Sequence, residues 1–361
     1  MVEVECLGVE RLRASIESGH GVLLAPNHCR ECDPMVVAEL SGQARRDLFV
    51  MASAHLFMAG RFMAWFLRRA GAFSVYREGL DRAAVSAAVD ILEQARRPLV
   101  IFAEGVVSRT NDHLNALMEG TALIARSAAK RRAKTRPPGK VVAHAVAIRY
   151  KLLDDVEEVL PPKLEDVERR LTWRPQSGLP LVERITKAGL GLLALKEIEY
   201  LGAPQTGLIQ ERLARLLDHI LAPLEEEWCK GQREPNTIAR IKRLRAAILP
   251  DLVKGDIPEE ERQRRWRQLE DVYLAQQIDH YPPDYVDYAG PEPTAERLLE
   301  TVERFEEDLT DKVRVYGRLK AVVEVGEAIE VSPEREGKGA DALMLRIEES
   351  LRSMLGISKA R

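Results

Sequence analysis

Five short apolar runs, separated by stretches of helical pattern, restrict the fold of this chain more than any other feature. The runs are Gly21–Pro26, Asp47–Ala52, Ala72–Arg77, Leu99–Ala103 and Val141–Tyr150. Between them lie a helical pattern opened by Asp33-Pro34, with Asp as N-cap and Pro at the first helical position, and further patterns over His55–Ala70, Asp81–Arg97 and Leu114–Lys130. Strands that alternate with helices pair in parallel, because each helix carries the chain back across the sheet. The expected fold is therefore α/β, a largely parallel sheet flanked by helices. In such sheets, sites gather at the carboxyl ends of strands.

The rest of the chain reads differently. From about Leu160 to Val315 the pattern is helical, over Leu181–Leu201, Gly207–Cys229, Thr237–Leu249, Pro258–His280 and Thr294–Lys312. Pro175, Gly202-Ala203-Pro204, Pro235, Pro250, Pro282-Pro283 and Pro291 punctuate it. Strand character returns over Leu319–Val331, followed by a helical pattern over Asp341–Leu355. The division expected is residues 1–150 as an α/β core, 151–314 as a large all-helical insertion, and 315–361 as the closing strand and terminal helix of the core. Two tandem domains are the alternative. No internal repeat is evident.

A chain of 361 residues with 45% hydrophobic and 31% charged residues has enough apolar mass for a real core and a soluble surface. The net charge of −3 divides unevenly: residues 1–150 hold 21 Lys+Arg against 15 Asp+Glu, and the remainder is acidic. A basic front half suits anionic substrates or an anionic membrane surface. The N-terminus lacks a secretory pattern, and no apolar stretch approaches the roughly 20 residues that span a bilayer. The expected location is cytoplasmic, peripheral on the inner face of the membrane. A basic, proline-ended loop at Lys130–Gly139 reads as solvated.

The chemistry-bearing residues sit just beyond two of the apolar runs. Asn27-His28-Cys29-Arg30-Glu31-Cys32-Asp33 follows the first, and Glu104-Gly105 ends the fourth. An imidazole can take a proton from an alcohol, and a carboxylate nearby can fix its tautomer and stabilise the imidazolium that forms. Taken singly, Asp33 before Pro34 is a helix cap and His28 a buried histidine. The Cys29-x-x-Cys32 pair invites a metal reading, but zinc wants four ligands and no second pair accompanies it. Neither a metal nor nucleic acid is expected.

Asn27-His28 followed by Asp33 resembles the signature of the phospholipid/glycerol acyltransferase family, which includes lysophosphatidate acyltransferases. Gly71–Arg77 is similar to that family's second block, Ile101–Gly105 with Ser108 and Arg109 to its third, Val142–Ile148 to its fourth, and Val325–Ile329 to its closing strand. The resemblance covers residues about 20–150 and 315–361. It implies transfer of a fatty acyl group from a thioester, acyl-CoA or acyl carrier protein, to the hydroxyl of a lysolipid acceptor, with no cofactor. His28 is then the general base and Asp33 its orienting partner. Asn27, Arg77, Glu104, Gly105, Ser108 and Arg109 become the substrate-binding set, with Arg77 matched to an acceptor phosphate.

The third block departs from the family. Ala103 stands where proline is usual, and Val106 and Val107 where threonine and the phosphate-binding arginine are usual. Arg109 is the substitute two positions later. An acceptor without phosphate, a thioesterase, and a lipid- or acyl-carrier-binding protein without catalysis are the competing readings. The segment Leu56–Arg69, rich in Met and aromatics with Arg61, Arg68 and Arg69, is the expected membrane contact, against a core-facing helix as its alternative.

Overall fold

The computed structural model describes residues 3–76, 81–255, 257–279, 281, 293–335, 337 and 339–357. The elements run β1 (Glu3–Leu7), α1 (Val9–Glu17), β2 (Gly21–Pro26), α2 (Asp33–Ala44), β3 (Phe49–Ser53), α3 (Ala54–Met58), α4 (Arg61–Arg69), β4 (Ala72–Val75), α5 (Arg82–Gln94), β5 (Leu99–Val100), α6 (Gly120–Arg132) and β6 (Val141–Leu152). Six helices follow: α7 (Val156–Arg170), α8 (Leu181–Leu201), α9 (Ile209–Cys229), α10 (Thr237–Lys254), α11 (Glu259–Asp279) and α12 (Ala295–Thr310). The chain closes with β7 (Leu319–Val325), β8 (Ile329–Glu330) and α13 (Ala342–Leu355).

Contacts divide the chain into two units, one of Met1–Leu153 with Arg318–Arg361 and one of Asp154–Gly317. The first is built on one mixed sheet in the order β1-β7-β6-β2-β5-β3-β4, with β8 also beside β6. Pairing is parallel throughout except where β6 meets β7 and β8. β2 is central, and all six of its residues are buried, which is why it reads as a continuous apolar run rather than an alternating one. Leu23 and Ala25 point into a core shared with α5, α6 and α13, through Leu92, Ala125 and Ile347. Val22 and Leu24, one step out of phase, are buried as well, and α1 packs against β2. Gly21 is required at the entry of β2, because a Cβ there would lie 2.2 Å from the Leu92 carbonyl oxygen.

Several boundaries move from their sequence expectation. The Leu319–Val331 run is two strands. Gly326 separates them by donating its N–H to Ala145 at 2.8 Å, while a Cβ on it would press on Ser350. His55–Ala70 is two helices, parted at Gly60 with φ 143°. The fourth apolar run holds strand geometry only over Leu99–Val100, and α6 begins at Gly120, so a long loop spans the residues between. The basic loop is solvated as expected, residues 133–138 all being exposed, while Arg132 at the end of α6 is buried and donates to the carbonyls of Gly19, Glu93 and Lys140. Arg77, Pro282-Pro283 and Pro291 lie outside the described residues.

The unit Asp154–Gly317 is helical throughout its described secondary structure, and it holds a repeat that the sequence reading missed. Helices α8, α9 and α10 begin at Leu181, Ile209 and Thr237, a constant interval of 28 residues. Arg184, Arg212 and Arg240 fill the same position in each, and each grips a glutamate of the preceding helix through Nε and Nη2. The partners are Glu168 at 3.0 and 2.9 Å, Glu197 at 2.8 and 2.7 Å, and Glu225 at 2.6 and 2.8 Å. The Arg184 and Arg212 clasps are buried, and there the fork-on-carboxylate geometry satisfies charges that burial alone would penalise. The shared stretches, Glu183–Lys187, Glu211–Arg215 and Ala239–Arg243, are only five residues long, too short to stand out in a helical, charge-rich region.

Candidate active site

The carboxyl ends of β2, β5 and β6 meet at one place. β2 stops at Pro26, and Asn27 fastens its exit to β6: the Asn27 amide donates to the Ile148 carbonyl at 3.0 Å, and the Ile148 N–H donates to Asn27 Oδ1 at 2.7 Å. The side chain is thus engaged at both ends, and it is buried. His28 follows. Its Nδ1 lies 2.8 Å from Asp33 Oδ2. Its ring stacks on Phe102, with centroids 4.2 Å apart.

Asp33 is the first residue of α2 yet does not cap that helix with its side chain. Its carboxylate turns back instead. Oδ2 accepts the Arg30 N–H at 2.9 Å as well as the imidazole, and Oδ1 accepts the Tyr150 hydroxyl at 2.6 Å. The Cys29 thiol approaches Oδ1 at 3.9 Å. The capping explanation of Asp33 therefore fails, and the carboxylate is a buried acceptor directed at His28. The His28 side chain keeps 16% of its surface exposed while Asp33 has none. An imidazole held at Nδ1 by a buried carboxylate, with a partly open edge, can accept a proton at its other nitrogen.

Glu104 supports the same turn from the β5 side. Its Oε1 accepts the His28 N–H at 2.7 Å, and its Oε2 accepts the N–H and the amide of Asn115, each at 2.9 Å. It is fully buried. Burial pushes its carboxyl up to about 7, against the hydrogen bonds from Asn115 and His28, which pull it down, while the nearby Asp33 charge adds to the rise. Gly105 follows with φ 67°, a left-handed conformation that glycine adopts without strain. The Ser108 N–H donates to the His28 carbonyl at 2.7 Å, and its hydroxyl donates to Thr110. Arg109 pairs with Glu31 at 3.1 Å.

The structure thus brings together His28, Asp33, Glu104, Gly105, Ser108 and Asn27, with Arg109 on Glu31 nearby; Arg77 is outside the described residues. Tyr150, Asn111, Asn115 and Phe102 escaped the sequence reading. Asn111 pairs with both main-chain groups of Tyr150, at 2.8 and 2.7 Å. A tyrosine closing an apolar strand was the one available signal, because a buried phenol needs a partner for its hydroxyl. Cys29 is buried and Cys32 half-buried, 3.3 Å from the Tyr150 hydroxyl. Among the described residues, no three of His, Cys, Asp and Glu gather to hold a metal ion.

Among the described residues, no helix is long and apolar enough to cross a membrane. The segment expected to meet lipid carries its apolar side chains outward. On α3 and α4, Met58, Phe62, Trp65 and Phe66 are all exposed, Phe62 by 76%, and Ala64 is the only buried residue of α4. The sequence from Leu48 to Tyr76 contains no acidic residue.

Two comparisons with known proteins fall on the same unit. Residues 3–148 match the family described as Acyltransferase. A 1-acyl-sn-glycerol-3-phosphate acyltransferase of Streptococcus pneumoniae (strain ATCC BAA-255 / R6) is 32% identical over 107 residues, which cover 30% of this chain and 37% of that protein. The chain therefore spans little more than a third of the relative it matches. The matched span lies within the α/β unit and takes in His28, Asp33 and Glu104, so it is this part of the chain that is similar to the acyltransferase family.

Proposed function

We propose that the α/β unit transfers a fatty acyl group from an acyl-CoA or acyl carrier protein thioester to the hydroxyl of a lysolipid, as the name of the streptococcal relative suggests. One observation carries the reading: His28 Nδ1 sits 2.8 Å from a completely buried carboxylate that has no capping role of its own. In this mechanism His28 takes the proton of the acceptor hydroxyl as its oxygen attacks the thioester carbonyl carbon. The C–O bond forms, the tetrahedral intermediate collapses, and the C–S bond breaks. The imidazolium returns its proton to the departing thiolate. Asp33 holds the ring in one tautomer and stabilises the imidazolium. Glu104 acts at one remove, fixing the His28 backbone.

The test is thiol release from long-chain acyl-CoA, or from acyl carrier protein, with and without a panel of lysolipids. Acceptor-dependent release that disappears in His28→Ala and Asp33→Asn supports transfer. Release without acceptor makes the enzyme a thioesterase, and retained lipid binding with no release from either donor makes it a binding protein. A second reading of the acceptor has its own observation. Valines replace the usual phosphate-side residues and Glu31 already occupies Arg109, which favours an acceptor without phosphate. The lysolipid panel therefore includes monoacylglycerol beside lysophosphatidate.

The exposed face of α4 supports a peripheral seat on an anionic membrane, with aromatics entering the interface and arginines facing headgroups. Co-sedimentation with phosphatidylglycerol vesicles, and not with phosphatidylcholine vesicles, is the expected result. Phe62→Ser with Trp65→Ser abolishes it if this face is the contact, and unchanged binding rules it out.

A further inference from the structure

Tyr150 belongs to β6, 117 residues from Asp33 in sequence, yet its hydroxyl donates to Asp33 Oδ1 at 2.6 Å. The two oxygens of that carboxylate are thereby given separate tasks. Oδ2 takes the imidazole and the Arg30 N–H, and Oδ1 takes the phenol. A carboxylate anchored through one oxygen cannot turn its other oxygen away from the ring without breaking that anchor. The phenol is itself held firmly. Asn111 grips the Tyr150 main chain on both sides, and the Arg30 guanidinium lies 5.2 Å over its ring. Burial and the Asp33 charge hold the phenol far above its ordinary range, so it stays a donor.

We propose that Tyr150 is a positioning residue for the His28–Asp33 pair: its hydroxyl anchors Asp33 Oδ1, keeps Oδ2 on the imidazole, and sets how strongly the carboxylate attracts the ring proton. Its catalytic consequence rests on the acyl-transfer reading given above. Removing the hydroxyl leaves Asp33 with fewer hydrogen bonds to its charged form, so it becomes a stronger acceptor toward His28 and favours the imidazolium. The other titratable or charged groups facing the pair, Arg30, Cys29, Cys32 and Glu104 on the His28 backbone, remain in place when that one oxygen is removed.

The experiment compares wild type, Tyr150→Phe and His28→Ala in the full chain. The His28 ring is titrated by NMR, and kcat/KM is measured against pH. In Tyr150→Phe the midpoint of the ring titration moves up by about one unit, and the acidic limb of kcat/KM moves with it. The rate at neutral pH falls by about tenfold, the scale of one lost hydrogen bond to a charged group. Phe keeps the ring and its packing. As a second probe that also keeps the hydroxyl, 3-fluorotyrosine at position 150, a stronger donor, moves the midpoint down. A titration unmoved by both changes overturns the proposal, even if the rate falls evenly at every pH, since that is what mere loosening would do. The two ideas fail separately. Full turnover in His28→Ala ends the transfer mechanism, while the NMR midpoint still decides whether Tyr150 governs the pair.

Discussion

Replacing Glu104 with glutamine should change the pH dependence of stability in a way that can be worked from the structure. Three protein N–H groups converge on the carboxylate, from His28 and Asn115. Burial nevertheless dominates and lifts its folded value from 4.5 to about 7. Between those two pH values the folded state holds the proton and the unfolded state does not. The contribution is fully present below pH 4.5 and is lost as pH rises through 7. A gap of roughly two and a half units at about 1.4 kcal/mol each amounts to about 3 kcal/mol. The glutamine side chain does not titrate, so wild-type stability minus variant stability should fall by about that amount from pH 4.5 to 7.5. The amide also offers one oxygen where three donors converge, which adds a pH-independent loss of about 1–3 kcal/mol. Urea unfolding followed by hydrogen exchange of β2 and β6 peptides reads the sheet unit apart from the helical one. A difference curve that is flat with pH would refute the claim that burial outweighs the three donors at this carboxylate.

Three further outcomes follow from other parts of the molecule. Gly21→Ala sets a Cβ 2.2 Å from the Leu92 carbonyl oxygen, so it should destabilise the sheet unit by about 1–3 kcal/mol or more, measured by urea midpoint. Arg212→Ala leaves Glu197 buried without its fork; a loss of about 3–5 kcal/mol is expected, confined to exchange rates in α8 and α9. Glu31→Gln removes one anionic partner from Arg109, so KM for a phosphate-bearing lysolipid should drop several-fold while that for monoacylglycerol stays unchanged. Equal KM changes for both acceptors would show that Arg109 does not meet a phosphate.

The sheet was legible because its physics is local. β2 is buried on both faces and so must be apolar at every position, a signal that needs no knowledge of neighbours. The ends of elements were harder, since Gly60 and Gly326 act through backbone geometry and close approach rather than composition. β1 and α1 were missed outright. The 28-residue repeat escaped because a charged pair on a helix looks the same whether it is solvated or buried against the next helix.

At the site, the sequence by itself determined which chemical groups are present and that they follow apolar strands: His28 and Asp33 beyond one, Glu104 beyond another. It also determined the family resemblance, which rests on short blocks that follow one another in a set order along the chain. Only the tertiary structure decided what those groups do to each other. Asp33 at the start of a helix is equally consistent with capping, and the folded chain turns it onto His28 because Arg30 and Tyr150 hold it there. Asn27 resembles a substrate contact and proves to fasten β2 to β6. Tyr150 carries no motif at all. It reaches Asp33 because parallel pairing of β2 and β6 sets their carboxyl ends side by side, a juxtaposition across more than a hundred residues that no local pattern encodes.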